Sequence, residues 1–273
     1  MNYLYGLKFR LISDHSMHTA NLNLLFYREG FSYSVDNGRD SRPMVHDFQV
    51  EQSLNWEAEI IREFELNLSL RRNFSQVRAS FVSTFFNVVP AELLDENLEV
   101  LLNFSEAEFE NNRLLSSQSV FGASLVFGIS QLLFDKLNLQ YANTVYCHSG
   151  KVLMDSVAVN SEPFIHLHLS HQMLEILVSE SDKLLYYNLF ETPTAEDVLF
   201  YSLYVADQFG FDTNTVNVKT YGELMEGRKI FELLRKYVRR LSQAVKEEVY
   251  MKNYSLYKLS ECELSQVHSR EKK

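Results

Sequence analysis

Three histidines, whose imidazole side chains can bind transition metals, lie close together in the sequence. His166, His168 and His171 form an H-x-H-x-x-H pattern, and in a β-strand His166 and His168 project from one face, as pairs of zinc ligands do. His171 has the opposite parity, and no carboxylate that would orient the imidazoles is evident in the sequence. We therefore expect a histidine pair that packs on a sheet or faces solvent, and we assign no metal ligand.

A thiol, an imidazole and a hydroxyl also follow one another, at Cys147, His148 and Ser149. The G-x-S-x-G turn that exposes a nucleophilic serine is absent, and neighbours in sequence do not align their side chains for proton transfer. We interpret Cys147 as the end of a strand and assign no catalytic residue. The motifs G-x-G-x-x-G and G-x-x-x-x-G-K-[ST] are absent too, which excludes Rossmann and P-loop nucleotide sites.

The charge of the chain limits its partners. With 26 basic and 36 acidic residues among 273, the net charge is -10, so the whole molecule repels nucleic acid and anionic lipid. Basic residues gather on the polar side of one predicted helix: Arg228, Lys229, Arg235, Lys236, Arg239 and Arg240. Acidic residues gather in another segment: Glu92, Asp95, Glu96, Glu99, Glu106, Glu108 and Glu110. We expect a protein partner and disfavour nucleic acid; a weaker alternative is a nucleic-acid-associated protein that uses the basic helix from Arg228.

The sequence also indicates a compartment. Two cysteines are too few for a disulfide framework in a chain of this size. The first 16 residues contain Lys8, Arg10 and Asp14 and lack the apolar core of an export signal. The uncharged segment from Leu114 to Phe134 is interrupted by serine and glutamine, so it predicts strands followed by a helix instead of a membrane span. We expect a cytoplasmic protein.

The elements that would position these residues recur along the chain. Apolar residues alternate from Asn21 through a turn at Arg28-Glu29-Gly30, and this predicts a hairpin. A third strand through Val50, a helix and a strand at Val77 to Val82 follow. The same order begins again at Ile165.

The second copy contains a hairpin across His171, a third strand through Leu189, a helix that opens at Thr192-Pro193, and a strand from Val216 to Tyr221. A final helix is predicted from Ile230 to Leu241. Two copies of strand-strand-strand-helix-strand predict a duplicated α/β protein. We place the boundary near Ser149-Gly150, with one half at 1–149 and the other at 150–273.

This order resembles the actin-like ATPase fold, in which each half has a ribonuclease H-like core. The residues that carry the resemblance are the segments Asn21 to Val50, Val77 to Pro90, Pro163 to Phe190 and Val216 to Gly222. More narrowly, the chain resembles an uncharacterised bacterial family of about this length that is known only as a domain of unknown function.

The resemblance implies a nucleotide site that this chain lacks in part. Active members of the superfamily carry an Asp and small residues at the first hairpin of each half, where backbone amides meet phosphates. Here the two tips read Tyr27-Arg28-Glu29-Gly30-Phe31 and Leu169-Ser170-His171-Gln172-Met173. Glu29 and Glu175 are the nearby carboxylates, and Tyr221-Gly222-Glu223 stands where a paired-glycine adenosine loop is expected.

These departures predict that ATP is not hydrolysed, and we assign no cofactor; weak nucleotide binding stays open. The carboxylates that the two-metal chemistry of a ribonuclease H-type nuclease requires are missing as well. The sequence favours a non-catalytic interaction scaffold with degenerate phosphate loops. The alternative is an unconventional ATPase or kinase-like protein in which Glu29 or Glu175 enters the cleft between the halves.

Overall fold

The computed structural model describes residues 20–36, 44–50, 56–95, 98–102, 111–158 and 160–262. In chain order the first half of the described chain contains β1 (Asn21–Tyr27), β2 (Gly30–Asp36), β3 (Val45–Gln49), α1 (Trp56–Leu66), β4 (Gln76–Phe81), β5 (Phe86–Pro90), a 3₁₀ turn (Ala91–Asp95), α2 (Leu98–Leu102), β6 (Asn112–Gln118), β7 (Ala123–Ser130), α3 (Gln131–Gln140) and β8 (Thr144–His148). The elements that follow are α4 (Ser149–Ser156), β9 (Asn160–Ser170), β10 (Met173–Ser181), β11 (Lys183–Glu191), α5 (Ala195–Gln208), β12 (Asn217–Gly222), α6 (Lys229–Arg235), β13 (Arg240–Gln243), α7 (Glu248–Lys252) and α8 (Tyr254–Glu261).

Two five-stranded sheets of the described chain have the same topology. Their strand orders are β3-β2-β1-β4-β8 and β11-β10-β9-β12-β13. In each sheet the first three strands in sequence are antiparallel neighbours, and the other two run parallel to the first. The predicted duplication is therefore confirmed for the first four strands of each sheet, whereas the fifth strands, β8 and β13, were not part of the predicted repeat.

One element of the second half differs from the prediction. The helix expected from Ile230 to Leu241 ends at Arg235, and Leu241 lies in the edge strand β13. Both Arg240 and Gln243 are polar residues of this four-residue strand, so it has no apolar alternation that the sequence would reveal. Leu241 packs against the second core from the strand.

Each large sheet is covered on one face by its own helices. Ile60 and Phe64 of α1 and Leu133 of α3 pack on the first sheet, and Val198 of α5 and Leu234 of α6 pack on the second. A smaller sheet of order β5-β7-β6 is inserted between β4 and β8. The strands predicted within the segment from Leu114 to Phe134 overlap β6 and β7, but the sequence did not identify a separate sheet that also contains β5.

The opposite faces of the two sheets are covered by elements that connect the halves. Helix α4 follows β8 directly, and its Leu153 and Met154 pack with Leu177 and Tyr187 of the second sheet. Helix α8 comes from the end of the described chain but contacts β1, β2 and β4 of the first sheet. The boundary at Ser149-Gly150 stays a prediction, and it coincides with the first turn of α4. None of the helices among the described residues is both long and apolar enough to cross a membrane.

Candidate functional site: the cleft between two hairpin tips

The two β-hairpins end at the same cleft. The β1–β2 turn at Arg28 and Glu29 and the β9–β10 turn at His171 and Gln172 follow the carboxyl ends of β1 and β9. The parallel neighbours of these strands, β4 and β12, end at the same level in the sheet register. In open α/β sheets this edge is where ligands bind, so it is the candidate site.

Direct contacts between the hairpins close the space between the tips. The rings of Tyr27 and His171 stack with centroids 3.5 Å apart and planes 16° apart. Nε2 of His171 lies 3.7 Å from Oδ1 of Asp47, on β3 of the other half. Arg28 forms an ion pair of 3.1 Å with Glu191. Side chains of both halves therefore occupy the space between the two tips.

Asp47 is the electrostatic centre of this contact. Its Oδ1 accepts hydrogen bonds from the hydroxyls of Tyr27 at 2.6 Å and Ser32 at 2.7 Å. Partial burial alone would raise the pKa of Asp47, but His171, Tyr27 and Ser32 together hold it well below its ordinary value. Burial and the same carboxylate raise the pKa of Tyr27 above its ordinary value. The phenol thus stays a donor, and the carboxylate stays charged.

Backbone groups of the second tip form hydrogen bonds within the protein. His171 and Gln172 have φ of 51° and 59°, the left-handed conformations of a tight two-residue hairpin turn. The His171 N–H donates to Oε1 of Glu223 at 3.0 Å, and the Gln172 carbonyl accepts from the N–H of Thr192 at 2.7 Å. The His171 amide is therefore already hydrogen-bonded to a carboxylate of the chain itself.

Gly222 explains how Glu223 reaches that amide. Its φ is +70°, and a Cβ there would lie 2.1 Å from the Leu169 carbonyl oxygen. Only glycine tolerates both the conformation and the approach. The next residue, Glu223, donates its own N–H to the same Leu169 oxygen at 2.8 Å. The segment Tyr221-Gly222-Glu223 is therefore folded onto the end of β9.

Cavities remain on both sides of the closed tips. One of about 440 Å³ lies at the ends of β1 and β4, with Phe26, Phe81, Ser83 and Ser130 in its wall. Another of about 240 Å³ is lined by Glu29, His171 and Pro193, among others. The Tyr27 ring and the Arg28–Glu191 pair border both cavities.

The three histidines of the H-x-H-x-x-H pattern have separate partners. His166 is buried in the second sheet, with Nδ1 2.8 Å from the Tyr221 hydroxyl and Nε2 3.2 Å from the Ser179 hydroxyl. Burial, with the nearby charge of Lys219, lowers the pKa of His166 to about 3. His171 lies at the tip, as described above. Among the described residues no group of three or more His, Cys, Asp or Glu side chains is placed to hold a metal ion.

His168 pairs with the carboxylate of Glu175, the residue directly opposite it in the hairpin register. Nδ1 donates to Oε2 at 2.5 Å. Oε1 of Glu175 accepts from Tyr187 at 2.6 Å and from Ser149 at 2.8 Å. Burial alone would raise the pKa of Glu175, but the hydrogen bond and charge of His168 lower it below the ordinary value. Sequence reasoning missed this pair, although a two-residue turn at His171 places positions 168 and 175 across from each other.

The pair continues into a relay with the order of a serine hydrolase. Nε2 of His168 lies 3.1 Å from Oγ of Ser255 on α8, which gives the sequence hydroxyl, imidazole, carboxylate. Ser255 and His168 are only 5% and 3% exposed. Because both side chains are buried, a substrate carbonyl cannot reach Oγ of Ser255 in this packing. The hydrogen-bonded chain therefore links α8 to the second sheet and does not form an accessible catalytic site.

The side chains of Cys147, His148 and Ser149 point to different partners. His148 caps α4 by accepting the Gly150 N–H at Nδ1, and its Nε2 donates to the Ser83 carbonyl at 2.8 Å. Burial lowers the pKa of His148 below its ordinary value, and burial raises that of Cys147 to about 12. Ser149 binds Glu175. The structure does not bring the three together as a nucleophile and its base.

The charged segments are placed as follows. Arg228 pairs with Glu248 at 2.5 Å and Arg235 with Glu226 at 3.5 Å, so acidic neighbours reduce the basic surface of α6. In the acidic segment Glu92 and Glu99 are exposed. Its members Glu96, Glu106, Glu108 and Glu110, the side chain of Asp95, and the first 19 residues of the chain lie outside the described part.

Comparison with solved structures defines the class of the protein. A Bacteroides thetaiotaomicron protein, described as having an actin-like ATPase fold and unknown function, matches with a TM-score of 0.79 and 21% identity, over 93% of this chain and all of that one. A chain of the PilM-PilN type IV pilus biogenesis complex matches with a TM-score of 0.55 and 12% identity, over 88% of this chain and 97% of that one. The protein has the actin-like ATPase fold, as the resemblance implied.

A family model places the chain more narrowly. The model described as "Protein of unknown function (DUF3822)" matches residues 12–241. The match covers most of the chain, so the protein belongs to this family. A search of curated proteins gave no match.

Proposed function

We propose that this protein is a non-catalytic interaction scaffold, in which the actin-like fold is kept and the nucleotide cleft is closed by the protein's own side chains. The observation that carries the proposal is the stack of Tyr27 on His171, at 3.5 Å between ring centroids. The stack occupies the meeting point of the two hairpins, where a nucleotide's phosphates would need open backbone amides.

Two further contacts support the proposal. The carboxylate of Glu223 accepts the hydrogen bond that the His171 N–H could otherwise donate to a ligand. The negative charge of Glu223 also repels a phosphate at this position. Glu175, which the alternative function would place in the cleft, has both carboxylate oxygens hydrogen-bonded inside the protein, to Ser149, Tyr187 and His168. It is 2% exposed, so it has no free oxygen for a metal's water.

The competing function is an unconventional ATPase or kinase-like activity. The cavity of about 440 Å³ beside the first hairpin favours it, because the cavity lies at the carboxyl ends of β1 and β4 and contains the hydroxyls of Ser83, Thr84 and Ser130. Glu29 at the tip is exposed and would be its nearest carboxylate. The two functions differ in whether Mg-ATP binds to the folded protein.

Thermal unfolding in the presence of Mg-ATP tests the proposal. A ligand at one hundred times its Kd stabilises the folded state by about 2.7 kcal/mol. We expect no saturable rise of Tm at millimolar Mg-ATP or Mg-ADP. The variant Tyr27→Ala with His171→Gly, which removes both rings, serves as the comparison. A saturable rise in the natural protein contradicts the scaffold function and supports the competing one.

We further infer that the scaffold works in the bacterial cytoplasm through a protein partner, without nucleic acid. The inference is supported by Cys147 and Cys262, which are both buried free thiols, and by the net charge of -10. Fractionation of native cells, followed by detection in the cytoplasmic or the periplasmic fraction, tests the location.

A further inference from the structure

The outer face of α5 carries two aromatic side chains that the fold leaves in solvent. Phe200 is 60% exposed and Tyr204 is 48% exposed. They are one helical turn apart, and their rings stack with centroids separated by 6.0 Å and planes 15° apart. A ring of Tyr201 also meets Phe200 edge to face at 5.2 Å. The pair forms a continuous aromatic surface.

This surface belongs to a rigid element. The opposite face of α5 is buried through Val198, Val205 and Ala206. Thr194 and Asp197 form a capping box at the first turn, in which the Thr194 hydroxyl accepts the Asp197 N–H at 3.2 Å and Asp197 Oδ2 accepts the Thr194 N–H at 3.0 Å. The backbone that carries the two rings is thus held in place before binding, which reduces the entropy that binding would cost.

The charged residues that α5 itself places beside the rings are acidic. Glu196 precedes Phe200 by one turn, and Asp207 follows Tyr204 by nearly one turn; both are exposed. The helix has no Lys or Arg between Ala195 and Gln208. Within the described part of the chain neither Glu196 nor Asp207 takes part in an ion pair.

We propose that this face, formed by Glu196, Phe200, Tyr204 and Asp207, docks an arginine-bearing segment of the protein partner; the proposal rests on the scaffold function. A guanidinium stacks on an aromatic face and pairs with a carboxylate at the same time. Anionic lipid and nucleic acid are repelled by the two carboxylates. The complementary partner is therefore cationic, and arginine matches it better than lysine.

Fluorescence anisotropy with a labelled peptide of alternating Arg and Gly tests the proposal. The comparisons are the same peptide with Lys for Arg, the variant Phe200→Ala with Tyr204→Ala, and the variant Phe200→Leu with Tyr204→Leu, which keeps apolar surface without the rings. We expect both double variants to weaken Arg-peptide binding by about fivefold or more. The Lys peptide binds more weakly than the Arg peptide, and Glu196→Gln also weakens binding.

Two matched controls fix the location. Val249→Ala removes an exposed apolar side chain elsewhere, at 59% exposure, and Glu180→Gln removes an exposed carboxylate on β10. Both are expected to bind the Arg peptide as the natural protein does.

Several outcomes overturn the docking proposal. These are absence of binding at low salt, natural affinity in the leucine variant, or an equal loss with Glu180→Gln, which would mean diffuse charge attraction. Sedimentation equilibrium that shows self-association abolished by Phe200→Ala with Tyr204→Ala also overturns it, since the occupant would then be a second copy. None of these results contradicts the scaffold function, because that proposal is contradicted only by nucleotide binding.

Discussion

At the scale of single residues, Glu175 shows how an ionisable group is kept inside the protein. Its 2% exposure would destabilise a lone carboxylate strongly. The imidazole of His168 and the hydroxyls of Tyr187 and Ser149 replace the water that it loses. These donors come from β9, β11 and α4, so one side chain ties three elements together.

Glu175→Gln is expected to lower the free energy of unfolding by about 2 kcal/mol or more at neutral pH, because the one amide oxygen cannot accept hydrogen bonds both from His168 and from the hydroxyls of Tyr187 and Ser149. The pKa of Glu175 is lower in the folded protein than the ordinary 4.5, so its contribution is complete above that pH. The contribution is lost as the pH falls through the lowered value. The difference between the two proteins therefore shrinks in acid.

Urea unfolding at neutral pH and at about pH 3 measures this difference. Glu180→Gln, on the exposed end of the same strand, serves as the control and is expected to unfold like the natural protein at both pH values. Equal stability of Glu175→Gln and the natural protein at neutral pH would show that the buried pair is not stabilising.

At the scale of elements, the sequence was most informative where apolar residues alternate. The hairpins at Arg28 and His171, and therefore the positions of the tips, were predicted from alternation and turn residues, and the structure confirms them. The strand β13 could not be predicted from the sequence because its four residues are mostly polar. The His168–Glu175 pair required the strand register as well as the strands.

The contacts that close the cleft were not predictable from sequence. Tyr27 and His171 are 144 positions apart, and each alone is an ordinary turn-flanking residue. No local pattern records that two tips meet, since their approach depends on how the sheets pack. The sequence did show that neither tip has an aspartate, and that the first has one glycine and the second none, because this is a property of each tip by itself.

In helix α4, helix propensity and side-chain packing predict opposite effects of one substitution on the free energy of unfolding. Gly150→Ala would stabilise an isolated helix. Here the new Cβ would lie 2.4 Å from Cζ and 2.5 Å from the hydroxyl oxygen of Tyr187, whose hydroxyl is held by Glu175. We expect Gly150→Ala to lower the free energy of unfolding by about 1–3 kcal/mol, as overpacking does.

The same substitution in a Tyr187→Leu background separates the two effects. The smaller side chain leaves room for Cβ, so Gly150→Ala should there be neutral or stabilising by up to about 1 kcal/mol. Denaturant unfolding of the four proteins gives the coupling. An equal loss in both backgrounds would place the conflict elsewhere than at Tyr187.

At the scale of the whole molecule, the halves are joined at three levels. The hairpin tips meet through Tyr27 and His171, α4 packs its Gly150 against the Tyr187 ring, and α8 lies on the first sheet while Ser255 binds His168 of the second. The relative position of the halves is therefore fixed at the cleft edge and behind it. This arrangement suits a scaffold that presents one constant surface.

The energy of the tip contact is measurable as a coupling across the halves. In a double-mutant cycle of Tyr27→Leu and His171→Asn, we expect a coupling of about 1 kcal/mol, the usual strength of a stacked ring pair. Asn is chosen because it tolerates the positive φ of His171. Tyr27→Phe should keep most of the coupling, since it keeps the ring.

The matched cycle of Arg28→Ala and Glu191→Ala should give at most about 0.5 kcal/mol, because those side chains are 74% and 59% exposed. Purely additive effects in the first cycle would mean that the stack does not hold the tips together, and the closed cleft would then have to be explained by the packing of α4 and α8 alone.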